Sequence, residues 1–201
     1  MIRVLLADDE TLIRDAVASL LGLEDDLDVV AVAASGTEAV AAAAKHVPDV
    51  AVLDLQMPGL DGIEVAERLA SEVPGCAVVI VTSHGRPGYL KRALESGVRG
   101  FLPKTVSARV LADVVRQVHA GGRYVDPELA ASAIAAGASP LTAREADVLE
   151  LAADGAPVEE IARRAALAPG TVRNYLSSAA AKLGVTNRHE AARMARANGW
   201  I

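Results

Sequence analysis

Aromatic residues are nearly absent from this chain: one Phe, one Trp and three Tyr make up 2% of its 201 residues. Any core must therefore be built from Ala, Val, Leu and Ile, within an apolar fraction of 52%. Cysteine occurs once, at Cys76, which excludes an intramolecular disulfide and a cysteine-clustered zinc site. Cys76 opens the apolar run CAVVIV and reads as a small core residue. No apolar run approaches the roughly 18 residues of a membrane helix, so no membrane insertion is expected. The N-terminus, MIRVLLADDE, turns acidic at once and lacks a signal-peptide pattern, which implies a cytoplasmic protein. No internal repeat or long low-complexity tract is present.

The charge is unevenly placed. Residues 1–138 hold 12 basic and 19 acidic residues, net −7, whereas residues 161–201 hold seven basic residues and one acidic, net +6. An acidic front and a basic tail suggest two domains with different partners.

The front is organised around VAVLDLQMPGLDG, Val50 to Gly62. Val50–Leu53 is an apolar run of the kind that forms a parallel strand covered on both faces, and Asp54 stands where it stops. Pro58, Gly59 and Gly62 break regular structure before a helical pattern begins at Ile63. Further strands are expected at Ile2–Ala7, Asp28–Ala33, Cys76–Val81 and Arg99–Leu102. Helices are expected at Thr11–Leu21, Gly36–Lys45, Ile63–Ser71, within Gly85–Gly97, and at Ser107–Ala120. Leu12, Ile13, Ala16, Val17 and Leu20 would form the apolar side of the first helix, and Val110, Leu111, Val114, Val115 and Val118 the stripe of the fifth. Five β–α alternations imply a doubly wound, five-stranded parallel α/β sheet.

Gly121-Gly122 ends that unit, and residues 121–138 read as a linker with a short helix at Asp126–Ala136, closed by GASP from Gly137 to Pro140. From residue 139 the pattern is all-α: Thr142–Ala153, with Thr142 and Glu145 as a capping box, then Pro157–Ala165, Pro169–Leu183 and Arg188–Ala197. The domains are thus expected at 1–120 and 139–201.

Four of the five strand ends carry functional groups: Asp8 with Asp9, Asp54, Thr82, and Lys104 just past the fifth. With strand order 2-1-3-4-5, the crevice between the first and third strands brings Asp8, Asp9 and Asp54 together. Three carboxylates at one point repel one another and call for a cation, and an all-oxygen set suits Mg²⁺. Asp54 would attack phosphorus, with Lys104 and the Thr82 hydroxyl binding the phosphoryl oxygens.

ADDE (Ala7 to Glu10), DLQMPGLDG (Asp54 to Gly62), VTS (Val81 to Ser83) and FLPK (Phe101 to Lys104) resemble the receiver domain of two-component response regulators, a flavodoxin-like fold. The resemblance implies that Asp54 is the phosphoacceptor and that Asp9, Asp54 and the main-chain carbonyl of Gln56 bind Mg²⁺ directly, with Asp8 acting through water. It makes Thr82 the switch hydroxyl and Phe101 the switch aromatic, although Phe101 taken alone reads as core. It also implies a sensor histidine kinase as phosphodonor.

Helices two and three of the second domain join through the short turn ALAPG, as in a helix-turn-helix. The sequence from LTAREADVLELAADG to GTVRNYLSSAAAKLGVTNRHEA resembles the four-helix LuxR-type DNA-binding domain, which with the receiver gives the NarL/FixJ family. The resemblance implies that Arg173, Asn174 and Ser177 face base edges of promoter DNA, with Thr171, Tyr175, Lys182 and Arg188 near phosphates. Arg and Asn can read guanine and adenine bidentately. Two departures stand out. Pro157, Val158 and Glu159 replace a polar pair and a lysine, and Ala168 replaces the serine cap of the recognition helix. The segment TVRNYLS resembles, within this family, the branch that controls membrane-lipid desaturase genes under a cold- or fluidity-sensing kinase.

The leading reading is a transcription regulator, not an enzyme, that a phosphoryl group on Asp54 activates by forming a homodimer or by releasing the DNA-binding domain. One alternative is a Mg²⁺-dependent aspartate-based phosphotransferase or phosphatase, but Gln56 stands where a second acid would be needed. Another is a regulator that binds DNA without phosphorylation, against which the complete acidic set argues.

Overall fold

The computed structural model of the chain describes residues 1–83, 87–137 and 139–201. The chain divides into two compact units, Met1–Gly85 with Leu90–Leu129 and Arg86–Tyr89 with Ala130–Ile201.

The first unit is a parallel sheet of β1 (Ile2–Ala7), β2 (Leu27–Ala33), β3 (Val50–Asp54), β4 (Ala77–Thr82), β5 (Gly100–Pro103) and β6 (Tyr124–Val125), in the order β2-β1-β3-β4-β5-β6. The doubly wound order expected from sequence is present, with one strand more. The sixth lies in the stretch read as linker: the Tyr124 N–H donates to the Arg99 carbonyl at 2.8 Å and the Asp126 N–H to that of Phe101 at 3.0 Å. Two half-buried residues are too few to display a period in sequence.

Every residue of β3 is buried, as an apolar run flanked by helices requires. The sheet is covered by α1 (Thr11–Leu21), α2 (Gly36–His46), α3 (Gly62–Glu72) and α5 (Ala108–His119), and α4 (Pro87–Glu95) stands between β4 and β5 in the chain. Of the fourth predicted helix, Gly85 and Arg86 lie outside the described residues. Ser35 caps α2, Asp61 and Glu64 form a capping box on α3, and Ser107 caps α5.

Two expected apolar faces are corrected. On α1 the core side runs through Val17, Ala18 and Leu21, whereas Leu12 is 83% and Leu20 46% exposed. Two overlapping stripes share helical spacing there, and periodicity alone does not say which one meets the sheet. On α5, Leu111, Val114, Val115 and Val118 are buried, but Val110 lies at the rim, 37% exposed.

Short helix α6 (Pro127–Ala136) is followed by α7 (Ala143–Ala153), α8 (Val158–Arg164), α9 (Pro169–Lys182) and α10 (Arg188–Ala197). Ala138, within the GASP stretch, lies outside the described residues. The second core gathers Val148 and Leu149 from α7, Ile161 from α8, Val172, Leu176 and Ala179 from α9, and Ala191 and Ala195 from α10. The capping box of Thr142 and Glu145 is present on α7. Pro157 stands one place earlier than expected, as the N-cap of α8. Between α8 and α9 the chain turns at Ala166, which adopts φ 53°, a left-handed conformation unfavourable for a residue with a Cβ.

Candidate functional site

The site lies where the strand order reverses. Parallel pairing of β1 with β3 sets Ala7 opposite Leu53, so Asp8, just past β1, and Asp54, the last residue of β3, stand side by side. Both are buried, 2% and 5% exposed, while Asp9 is exposed. One carboxylate oxygen from each of Asp8, Asp9 and Asp54 lies within 4.8 Å of the others. The close approach of Gly62 fixes the loop after β3: its N–H donates to the Leu55 carbonyl at 2.9 Å, and a Cβ there would overlap the Asp54 carbonyl.

Lys104 closes the cluster. Its main-chain N–H donates to the Thr82 carbonyl at 2.8 Å, which ties the ends of β4 and β5. Its ammonium donates to Asp54 Oδ2 at 3.0 Å and lies 2.8 Å from Asp8 Oδ2, with its side chain 10% exposed. A third donor reaches Glu10 Oε1 at 3.1 Å. Burial alone would lower the Lys104 pKa, but Asp8, Asp54 and Glu10 outweigh it and hold the ammonium well above its ordinary value. Burial pushes the Asp54 carboxyl up to about 6, although Lys104 and the Gln56 N–H oppose the shift.

Thr82 ends β4 at 2% exposure, and Phe101 in β5 is wholly buried opposite Ile80. Of the predicted residues of the first unit, Asp8, Asp9, Asp54 and Lys104 lie together, Thr82 is tied to Lys104 through the backbone, and Phe101 stands as core. Gln56 follows Asp54 by two residues and is exposed. An all-oxygen donor set carrying more negative charge than Lys104 offsets suits a hard divalent cation. Sequence reasoning missed Glu10 as a partner of Lys104, although it directly follows the Asp8-Asp9 pair.

In the second unit, Arg173, Asn174 and Ser177 are exposed on one face of α9, and Thr171 and Tyr175 are half-buried. Arg173 lies 3.7 Å from Glu159, in the position read as a departure from the usual lysine. Two residues expected near phosphates hold the fold together as well. Lys182 donates to Glu145 Oε2 at 2.7 Å, and Arg188 donates to the Ala156 carbonyl at 3.1 Å. Glu145 is 4% exposed and also accepts from Ser178 at 2.6 Å. Burial alone would raise its carboxyl; hydrogen bonds from Lys182, Ser178 and Thr142 outweigh that and bring it to about 2. Neither Glu145 nor Ser178 was legible as a site residue, because their contact joins two helices distant in sequence. Ala168 stands at the N-cap of α9 with no side-chain cap bond.

Among the described residues no helix is long and apolar enough to cross a membrane. Residues 4–116 match the response regulator receiver domain, and residues 139–195 match the bacterial regulatory proteins of the luxR family. The chain is 43% identical over 201 residues to the transcriptional regulatory protein DesR of Bacillus subtilis (strain 168), with all of both chains covered. It is 37% identical over 201 residues to the DNA-binding transcriptional activator DevR/DosR of Mycobacterium tuberculosis (strain ATCC 25618 / H37Rv), covering 96% of this chain and 93% of that one. Among solved structures it is similar to the response regulator ChrA of a heme-sensing two-component system, at 33% identity and TM-score 0.56, covering 100% of this chain and 98% of that one. The chain therefore belongs to the response regulators of the NarL/LuxR family, with a receiver domain followed by a LuxR-type DNA-binding domain.

Proposed function

We propose that this chain is a cytoplasmic transcription regulator of a two-component system that takes a phosphoryl group from a sensor histidine kinase onto Asp54 and in response binds promoter DNA as a homodimer. The observation that carries this reading is the convergence of Asp8, Asp9, Asp54 and Lys104 at the sheet's switch point, in a chain that also holds an exposed α9 face. Asp9, Asp54 and the Gln56 carbonyl, with Asp8 through water, would hold Mg²⁺, which would supply positive charge to offset that of the arriving phosphoryl group.

The chain's own residues do the rest. Asp54 is the nucleophile, and its carboxylate must be ionised to attack. Lys104 holds Asp54 in place and exchanges that contact for a phosphoryl oxygen. Thr82, already tied to Lys104 through the backbone, closes on another phosphoryl oxygen, and Phe101 follows it. The surface formed by α4, β5 and α5 then changes, favouring the pairing of two copies. Arg173, Asn174 and Ser177 read base edges, while Thr171, Tyr175, Lys182 and Arg188 meet phosphates.

Treatment with acetyl phosphate and Mg²⁺ followed by intact-mass spectrometry tests the chemistry. The wild type gains one phosphoryl group, and Asp54→Asn gains none because an amide is not nucleophilic. An equal gain in the mutant would remove Asp54 from the role of phosphoacceptor.

A further inference from the structure

Glu10 is the one carboxylate at this site to which the proposed chemistry gives no task. It occupies the N-cap position of α1, yet its side chain caps nothing. Acidic residues at a helix start ordinarily satisfy free backbone N–H groups. Here the side chain turns to Lys104, 94 residues later in sequence, at 3.1 Å. Its backbone N–H meanwhile donates to Asp8 Oδ1 at 2.9 Å, so Glu10 touches the buried cluster by two routes.

The Lys104 ammonium has three protons to donate, and three carboxylates surround it: Asp8, Asp54 and Glu10. The partners differ in one respect. Asp8 and Asp54 side chains are 3% and 7% exposed, whereas that of Glu10 is 55% exposed. Glu10 therefore sits at the rim, on the side from which a donor in solution arrives. Four carboxylates against one ammonium leave the cluster at −3. A bound divalent cation brings these five groups to −1, or to neutral without Glu10; Arg14, whose guanidinium donates to the Asp8 carbonyl at 2.8 Å, adds positive charge in both cases, so Glu10 shifts by one unit the charge that an incoming phosphoryl dianion meets.

We propose that Glu10 is a positioning residue of the phosphoacceptor site: it tethers Lys104 at the rim and adds a negative charge that tightens divalent-cation binding while slowing phosphoryl entry. This rests on the phosphoacceptor reading above. With acetyl phosphate the step is balanced within the pair: an Asp54 carboxylate oxygen forms a bond to phosphorus as the bond from phosphorus to the acetate oxygen breaks, and acetate leaves with the electron pair.

The test uses the full chain with Glu10→Gln, which keeps the side chain's length and its acceptor for Lys104 while removing the charge. Glu72→Gln serves as the control for net charge; Glu72 pairs with Arg68 at the end of α3 remote from Asp54. Mg²⁺ affinity is read by titration calorimetry, and the rate of phosphoryl gain at saturating Mg²⁺ by intact mass. Removing one charge at this range should weaken Mg²⁺ binding by about two- to fivefold and speed phosphorylation by about the same factor. The opposite directions are the signature, because a merely structural defect lowers both. Values for Glu10→Gln that match Glu72→Gln in both readouts, or a fall in both, overturn the assignment. A wild type that gains no phosphoryl group instead overturns the phosphoacceptor reading, and the Mg²⁺ titration then still decides whether Glu10 acts on the cation.

Discussion

Single side chains carry this site, and several serve two purposes. Lys104 offsets part of the charge of the acidic cluster and in the proposed mechanism goes on to a phosphoryl oxygen, and Lys182 pairs with Glu145 and in the same proposal meets DNA. Arg173 and Lys182 therefore differ in what their loss should do. Arg173 is exposed, and among the described residues its ion pair is with an exposed Glu159 at 3.7 Å, a contact of small value. Arg173→Ala should leave folding unchanged and weaken a specific duplex by about 1–3 kcal/mol, with a smaller loss on a scrambled one. Lys182→Ala should weaken both duplexes alike, flatten the salt dependence, and also destabilise the second domain by about 1–3 kcal/mol as Glu145 loses its charged donor. Fluorescence anisotropy at several salt concentrations, together with thermal unfolding, separates the two. Equal losses on both duplexes for Arg173→Ala would contradict its role at base edges.

At the scale of elements, α9 is held well along its length and poorly at its start. Ala168 leaves the first N–H groups of α9 without a side-chain partner, so Ala168→Ser should stabilise the second domain by about 0.5–1 kcal/mol in thermal unfolding. Further along, Glu145 ties α7 to α9 through Ser178 and Lys182. With its carboxyl at about 2 when folded, against an ordinary value of 4.5, Glu145 stabilises the domain above pH 4.5, and this contribution is lost as pH falls toward 2. Thermal melts should thus show a steeper fall between pH 4.5 and 2 for the wild type than for Glu145→Gln. Parallel curves would mean that the carboxyl is not held in its charged form.

What sequence reveals also depends on the element. The buried run Val50–Leu53 and the acid that follows it announced both strand and site, because full burial on two faces leaves a continuous apolar signal. The capping box on α7 was legible for the same local reason. The strand at Tyr124–Val125 was not, being only two residues long, and on α1 the pattern allowed a wrong face outward to Leu12 and Leu20. Contacts such as Glu10 with Lys104 or Glu145 with Lys182 are made by the fold, between residues that no local period connects.

Across the whole molecule the two ends of the chain differ in charge, net −7 in residues 1–138 and net +6 in residues 161–201. The acidic part gathers Asp8, Asp9 and Asp54 into one cluster, which the proposed function assigns to a cation and a phosphoryl group, and the basic part suits a polyanion. One four-helix domain makes few base contacts, and pairing two copies on adjacent half-sites raises affinity through effective concentration without new contacts. In the proposed mechanism a phosphoryl group on Asp54 governs that pairing. The most direct measurement is the affinity of the full chain for a duplex selected from a randomised pool by the phosphorylated protein, read by anisotropy with the complex's mass from sedimentation. Acetyl phosphate with Mg²⁺ should tighten wild-type binding by about tenfold or more and yield two copies per duplex, while Asp54→Asn stays unchanged. Equal affinity of treated and untreated wild type, or the same tightening in Asp54→Asn, would contradict the account.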